Sequence, residues 1–113
     1  MIEKGLQKYL PLSESTYYIM LSLIEPRHGY AVMQHVDTIS RKSAAVGPGT
    51  LYGAFSNLEK AGLIRSVGEE ERRKYYVLTD TGRIVLAEQI RRLQIMSENG
   101  SRVLPLLEEQ IWK

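Results

Sequence analysis

The sequence predicts a mostly α-helical domain with one small β-hairpin, and three observations carry that prediction. Three short apolar segments precede Gly62, the first almost unbroken and the next two at three- and four-residue spacing, each bounded by capping or breaking residues. Leu63 to Val67 and Lys74 to Leu78 are rich in β-branched and aromatic residues and flank the charged tip Gly68-Glu69-Glu70-Glu71, the pattern of a hairpin. From Thr79 onward the apolar residues step by four and three, as in one long helix.

The elements follow in order. Ser13-Glu14-Ser15-Thr16 supplies N-cap hydroxyls and early negative charge ahead of Tyr17, Tyr18, Ile19, Met20, Leu21, Leu23 and Ile24, so the first helix is expected to be buried on several sides. Pro26 ends it, because proline disfavours helical geometry in the residue before it, and Arg27-His28-Gly29 reads as a short turn. A second helix from about Gly29 to Arg41 places Val32, Met33, Val36 and Ile39 on one side. After the connection Arg41 to Gly47, Pro48 opens a third helix, where its missing N–H is harmless, and Gly62 closes it. In the hairpin, Tyr75, Tyr76, Val77 and Leu78 are consecutively apolar, so alternation does not choose a register. Thr79 caps the final helix with Asp80 in its first turn. Its stripe of Leu86, Ile90, Leu93, Leu104, Leu107 and Ile111, small and polar at Ser97 and Gly100, outruns the core of so small a domain and is expected to face a second copy. Gly100 and Pro105 predict a kink or break between them.

At 113 residues the chain has room for one modest core but not for separate catalytic and substrate-binding domains. A hydrophobic fraction of 43% with 25% charged residues is that of a chain that folds. The net charge of +2 permits a nucleic-acid partner without requiring one. The lack of cysteine excludes disulfides, thiolate zinc sites and cysteine nucleophiles, and fits a cytoplasmic protein. Met1 to Pro11 lacks the apolar core of a signal peptide, and the longest apolar run, Tyr17 to Ile24, is too short to span a bilayer. His28, His35 and Asp37 are the thin candidates for a metal or catalytic group; a turn residue and a solvated helix residue account for the two histidines, so neither an enzyme nor a cofactor is expected.

The third helix is the most informative segment. Leu51, Ala54, Phe55, Leu58 and Ala61 form an apolar stripe that seats it, while Gly49, Gly53, Ser56, Asn57 and Lys60 fall opposite, with Thr50 and Tyr52 at the flanks. Such an outer face lets backbone and short polar side chains approach base edges, and hydroxyls near a helix N-terminus suit phosphate. The run Arg72-Arg73-Lys74 suits phosphate or a minor-groove edge, whereas the acids Glu69 to Glu71 repel phosphate and are expected on the far side of the turn. Three short helices, a basic-flanked hairpin and a further helix follow the order of a winged helix-turn-helix, whose third helix enters the major groove of double-stranded DNA. A solvated helix face and strand end would explain the same residues, and winged helices also serve as protein-docking modules, the alternative function. The outer face offers glycine, serine, asparagine and lysine where a docking surface wants large anchors, which favours DNA.

The runs His28-Gly29-Tyr30, Gly47-Pro48-Gly49-Thr50-Leu51-Tyr52, Leu58-Glu59-Lys60-Ala61-Gly62-Leu63-Ile64, Arg72-Arg73-Lys74-Tyr75-Tyr76 and Leu78-Thr79-Asp80-Thr81-Gly82 resemble, in matching order, the signature runs of PadR-type regulators across roughly Leu12 to Leu93. The resemblance implies a winged helix-turn-helix with an extended C-terminal dimerisation helix, a homodimer that binds inverted-repeat operators and represses, with release by a small aromatic or hydrophobic effector. It places Gly49, Thr50 and Tyr52 at the DNA end of the recognition helix and Arg72, Arg73 and Lys74 on the wing. The single terminal helix resembles the short subfamily, which argues against a large separate effector domain, and Trp112 lies too near the C-terminus to serve as a central effector-binding tryptophan. Tyr17, Tyr18 and Met96 are read as packing between the first and last helices, with an effector pocket there as the alternative. On this reading residues 1–78 form the DNA-binding domain and 79–113 the dimerisation helix, in one compact unit.

Overall fold

A computed structural model describes residues 4–112; residues 1–3 and 113, which the readings of the N-terminal segment and of the two domain limits include, lie outside it. The Ser13 hydroxyl accepts from the Thr16 N–H at 3.1 Å and starts helix α1, Glu14–Ser22, after a short 3₁₀ segment, Lys4–Tyr9. Strand β1, Arg27–His28, leads directly into α2, Gly29–Ile39. Helix α3, Pro48–Lys60, is followed by strands β2, Ile64–Glu70, and β3, Arg73–Leu78, and by the long helix α4, Asp80–Ile111. The three antiparallel strands lie in the order β1, β3, β2. Mostly helical with a small sheet, the fold class is the expected one.

Four local expectations are corrected. Arg27 and His28 form an edge strand, pairing with Tyr76 and Tyr75, where a turn was expected. Two residues are too few to show alternation, so only the partner strand reveals them. The hairpin tip is Glu71-Arg72, both at positive φ, and Glu69 and Glu70 lie in β2 opposite Lys74 and Arg73. Gly68, which resembles a turn residue, instead takes a φ of +138° beside a bulge at Val67. Helix α4 runs without a break through Gly100 and Pro105. Proline removes the bond to the carbonyl of Ser101, but Ser101 is exposed and water can take its place. Leu86, finally, is 4% exposed and sits in the core of its own domain.

That core joins Ile19, Met20 and Leu23 of α1, Val32 and Val36 of α2, and Leu51, Phe55 and Leu58 of α3 to Leu63, Ile64, Leu78, Val85 and Leu86. Ile39, expected on the inward side of α2, is 37% exposed and outside the core. The end of α3 is closed by a Schellman arrangement: Gly62, at a φ of +76°, donates to Glu59 and Leu63 donates to Leu58. The same loop receives the start of α4. Thr79 donates through its hydroxyl to the Gly62 carbonyl at 2.6 Å and through its N–H to the Leu63 carbonyl at 3.0 Å, while capping Gly82. Arg83 reaches back to the carbonyls of Leu78 and Ile24.

Gly82 is the tightest point of this junction. A Cβ built there would lie 2.0 Å from the Leu63 carbonyl oxygen, a backbone atom that cannot swing away. Alanine normally favours a helix over glycine by up to about 1 kcal/mol. Here Gly82→Ala is expected to destabilise the domain by about 2 kcal/mol or more, read as a lower midpoint in chemical denaturation, because α4 must lift off the α3–β2 loop. An unchanged or raised midpoint would show that this contact does not hold the junction.

Candidate nucleic-acid interface

Helix α3 begins at Gly47, which has no side chain to cap it, with Pro48 in the first turn. The opening turn therefore presents its free N–H groups outward at Gly49 and Thr50, both exposed. Leu51, Phe55 and Leu58 anchor the helix in the core, with Ala54 and Ala61 half-buried beside them. Gly49, Thr50, Gly53, Ser56, Asn57 and Lys60 are exposed on the far side, as the spacing requires. Tyr52 borders this face toward the hairpin, its ring edge-on to Phe55 at 6.0 Å. Asn57 borders it on the other side, at a recess shared with Tyr9, Ser13 and Thr16.

The two outer glycines are not required by the fold. A Cβ at Gly49 or Gly53 would meet nothing within 4 Å. Both forgo helix propensity for no internal contact, which leaves room for another body to come close.

The hairpin stands beside this face. Phe55 stacks on Tyr76 at 4.6 Å and ties α3 to β3. Arg72 lies in the turn and Arg73 and Lys74 on β3; together with His28, Gly29, Tyr30, Tyr52 and Tyr76 they line a notch of about 310 Å³. The Arg73 guanidinium lies 3.2 Å from His28 Nε2, and the Lys74 ammonium lies 5.5 Å from the centre of the Tyr76 ring. Glu69 and Glu70 line a different recess with Pro26, Val67 and Tyr75. The acids thus lie across the turn from the cations as expected, but directly beside them in the ladder, Glu69 opposite Lys74 and Glu70 opposite Arg73. Of the notch residues, His28, Gly29, Tyr30 and Tyr76 went unmarked as contacts in the sequence; the pairing of β1 with β3 brings His28 there, and the start of α2 follows it in the chain.

His35 has a packing role. Its Nδ1 lies 2.8 Å from the Ser22 hydroxyl, which itself donates to the Tyr18 carbonyl. Burial, and next the nearby Arg27, hold this imidazole below its ordinary range against the opposing pull of Glu25. Among the described residues no three His, Asp or Glu side chains gather as a metal site would require. On α4, Ile90 packs partly against the core and Leu93 lines a cleft of about 570 Å³ with Tyr17, Tyr18, Gln89 and Met96. Met96 is 65% exposed, so it does not pack as expected. Leu104, Leu107 and Ile111 stand free of the domain, together with Val103, Leu106 and Trp112, which the single-stripe reading omitted.

The profile of the transcriptional regulator PadR-like family matches residues 7–88, most of the chain. The chain belongs to that family. Its fold is shared with a transcriptional regulator from Clostridium thermocellum, at a TM-score of 0.65 and 25% identity over 90% of this chain and 97% of the other. A PadR family transcriptional regulator from Eggerthella lenta superposes equally well, with a TM-score of 0.65 and 25% identity over 89% and 86% of the two chains. A 37.1 kDa protein from a transposon of Streptomyces fradiae is 35% identical over 72 residues, 64% of this chain but only 20% of that larger protein. Members of the PadR-like family are transcriptional regulators, not enzymes. Among the described residues, no helix of this PadR-like chain is long and apolar enough to cross a membrane.

The exposed glycines give a test in which stability and function part company. Gly53→Ala is expected to stabilise the fold by up to about 1 kcal/mol, since the added methyl meets open space and improves helix propensity. The same variant is expected to bind duplex DNA more weakly, because the methyl stands where the partner must approach. Thermal melting and a DNA titration on one preparation decide it; undiminished affinity would show that the outer face of α3 stays clear of DNA.

Proposed function

We propose that this PadR-like regulator binds double-stranded DNA as a homodimer, with the outer face of α3 in the major groove and the β2–β3 hairpin as a wing on the sugar–phosphate backbone. The observation that carries this reading is the continuity of the two surfaces: a small, polar helix face with two glycines the fold does not need runs, past Tyr52, into a notch bearing three cations and no carboxylate. Gly49, Thr50, Gly53, Ser56, Asn57 and Lys60 meet the groove, while Tyr52, Arg72, Arg73 and Lys74 meet phosphates. Residues 1–78 supply this DNA-binding part, and 79–113 the helix that pairs two copies.

The dimer reading is supported by the exposed apolar end of α4. At 1.5 Å per residue the helix is about 48 Å long, and among the described residues its large apolar side chains from Val103 to Trp112 are exposed. A second copy of the same helix about a two-fold axis covers Leu104, Leu107 and Ile111 and sets two recognition helices at a fixed spacing, which suits an inverted repeat. Leu86 is spent on the domain core and takes no part, while Ile90 and Leu93 contribute only their outer edges. Repression, the sense of regulation implied by the family resemblance, then follows from occupancy of the operator. The cleft between α1 and α4 suits a small aromatic or hydrophobic effector: it is bordered by two tyrosines, Leu93 and Met96, and burial, with the adjacent Tyr18, raises the Tyr17 phenol above its usual range.

Two outcomes are expected. Arg73→Ala and Lys74→Ala each weaken binding to every duplex sequence and flatten the plot of log affinity against log salt by about 0.9, the loss of one phosphate contact. Wild-type affinity and slope in both variants would remove the wing from the backbone. Leu104→Glu with Leu107→Glu sediments as a folded monomer and loses its preference for an inverted repeat over a single half-site, because unpaired carboxylates cannot be buried in an apolar seam. A double variant that still sediments as a dimer would contradict the pairing through α4.

A further inference from the structure

His28 makes two contacts that cannot both be hydrogen bonds in the protein alone. Its Nδ1 accepts from the Ala31 N–H at 3.2 Å, serving as the N-cap of α2. That bond needs the Nδ1 lone pair, so the proton of the neutral ring sits on Nε2. Nε2 in turn lies 3.2 Å from the guanidinium of Arg73, and a guanidinium has donors only. Two N–H donors therefore face each other at the wall of the notch with no acceptor between them. The ring cannot turn away freely: it is edge-on to Tyr75 at 5.2 Å and is anchored by its own cap bond and by the pairing of His28 with Tyr75.

Tyr52 lies across the start of α2, where a Cβ on Gly29 would come within 2.7 Å of its hydroxyl oxygen. Gly29 thus makes room for the Tyr52 hydroxyl, which opens on the same notch as His28, Arg73 and Lys74. Among the described residues no carboxylate lines it. What this arrangement lacks is an anionic acceptor with several oxygens, able to take the His28 and Arg73 protons at once.

We propose that the notch seats one backbone phosphodiester of duplex DNA, with His28 Nε2–H as a neutral donor beside Arg73. This deepens the DNA-binding reading and rests on it. Inorganic phosphate offers the same oxygens, but continuity with the α3 face favours a phosphate presented by DNA. The donor role also explains why a histidine stands at the cap. Asparagine, serine or aspartate would cap α2 as well, but none projects a second N–H from the far side of a rigid ring.

His28→Asn separates the two roles, since asparagine keeps the cap and removes the distal donor. The variant is expected to melt close to wild type and to bind a short duplex of arbitrary sequence about tenfold more weakly, the loss of one bond to a charged group. Its salt slope should stay that of wild type, because no cation is lost, whereas Arg73→Gln lowers the slope. Nitrogen NMR of the wild-type ring supplies a check that needs no variant: the proton should reside on Nε2, and that signal should move on saturation with duplex but not with inorganic phosphate at equal phosphate concentration. A folded His28→Asn with undiminished affinity, a proton on Nδ1, or a ring signal indifferent to bound DNA would each overturn the proposal. An equal response to inorganic phosphate would make the notch a small-anion site and overturn the assignment to DNA. Failure of wild type to bind any duplex would instead fall on the DNA-binding reading, and the proposal would fall with it.

Discussion

The carbonyl of Leu63 accepts from the Thr79 N–H at 3.0 Å and lies so near Gly82 that only a glycine fits beneath it. Around this crossing the carbonyl of Gly62 takes the Thr79 hydroxyl, and Leu78 donates to the carbonyl of Leu23 at the end of α1. The end of α3, the two ends of the hairpin and the start of α4 thus meet within a few residues. The orientation of the helix face, the standing position of the hairpin beside it and the direction in which α4 leaves the domain are all set there. On the proposed reading, these are the three quantities on which engagement of two half-sites depends, and each is fixed by hydrogen bonds to backbone carbonyls, from the N–H groups of Leu78 and Thr79 and from the Thr79 hydroxyl.

Away from that junction several departures from local stability gather beside the notch, while others, the positive φ of Arg41 and Lys42 and the open Gly100 of α4, lie elsewhere. Gly49 and Gly53 forgo helix propensity on an exposed face, Arg72 holds a positive φ that a residue with a Cβ resists, and Arg73 points donors at a donor. The two glycines meet no side chain in return, whereas the φ of Arg72 belongs to the two-residue turn that joins β2 to β3. They lie along one surface, from the start of α3 across the notch to the hairpin tip, while the opposite, buried face has its polar side chains satisfied among the described residues. On the proposed reading, contacts with DNA offset the cost at this face.

The sequence made the helices readable because each carries its own punctuation. Ser13 and Thr79 accept at the third residue onward, Pro48 opens α3, and Gly62 closes it with a positive φ. The face of α3 was legible for the same reason: helical periodicity alone assigns Leu51, Phe55 and Leu58 inward and Gly53, Ser56 and Lys60 outward. What stayed hidden depends on pairing between distant segments. The edge strand Arg27–His28 exists only because β3 accepts it, and the two-residue turn at Glu71-Arg72 lacks the asparagine or glycine that usually marks such a turn. The heptad-like stripe of α4 was seen as one surface, yet its first residue, Leu86, belongs to the domain core, because a periodic pattern does not say where one partner ends and the next begins. The cationic notch was half legible: Arg72 to Lys74 by composition, His28 and Tyr30 only by the fold.

The central claim, that one contiguous surface of this PadR-like chain faces duplex DNA, is tested most directly by mapping backbone amide shifts of the isotope-labelled protein during titration with duplex DNA. The account predicts changes concentrated on Gly49 to Lys60, His28 to Tyr30 and Arg72 to Lys74, with the exposed stripe from Leu104 to Ile111 undisturbed. Changes confined to that stripe, or to the cleft between α1 and α4, with α3 and the hairpin silent, would contradict it.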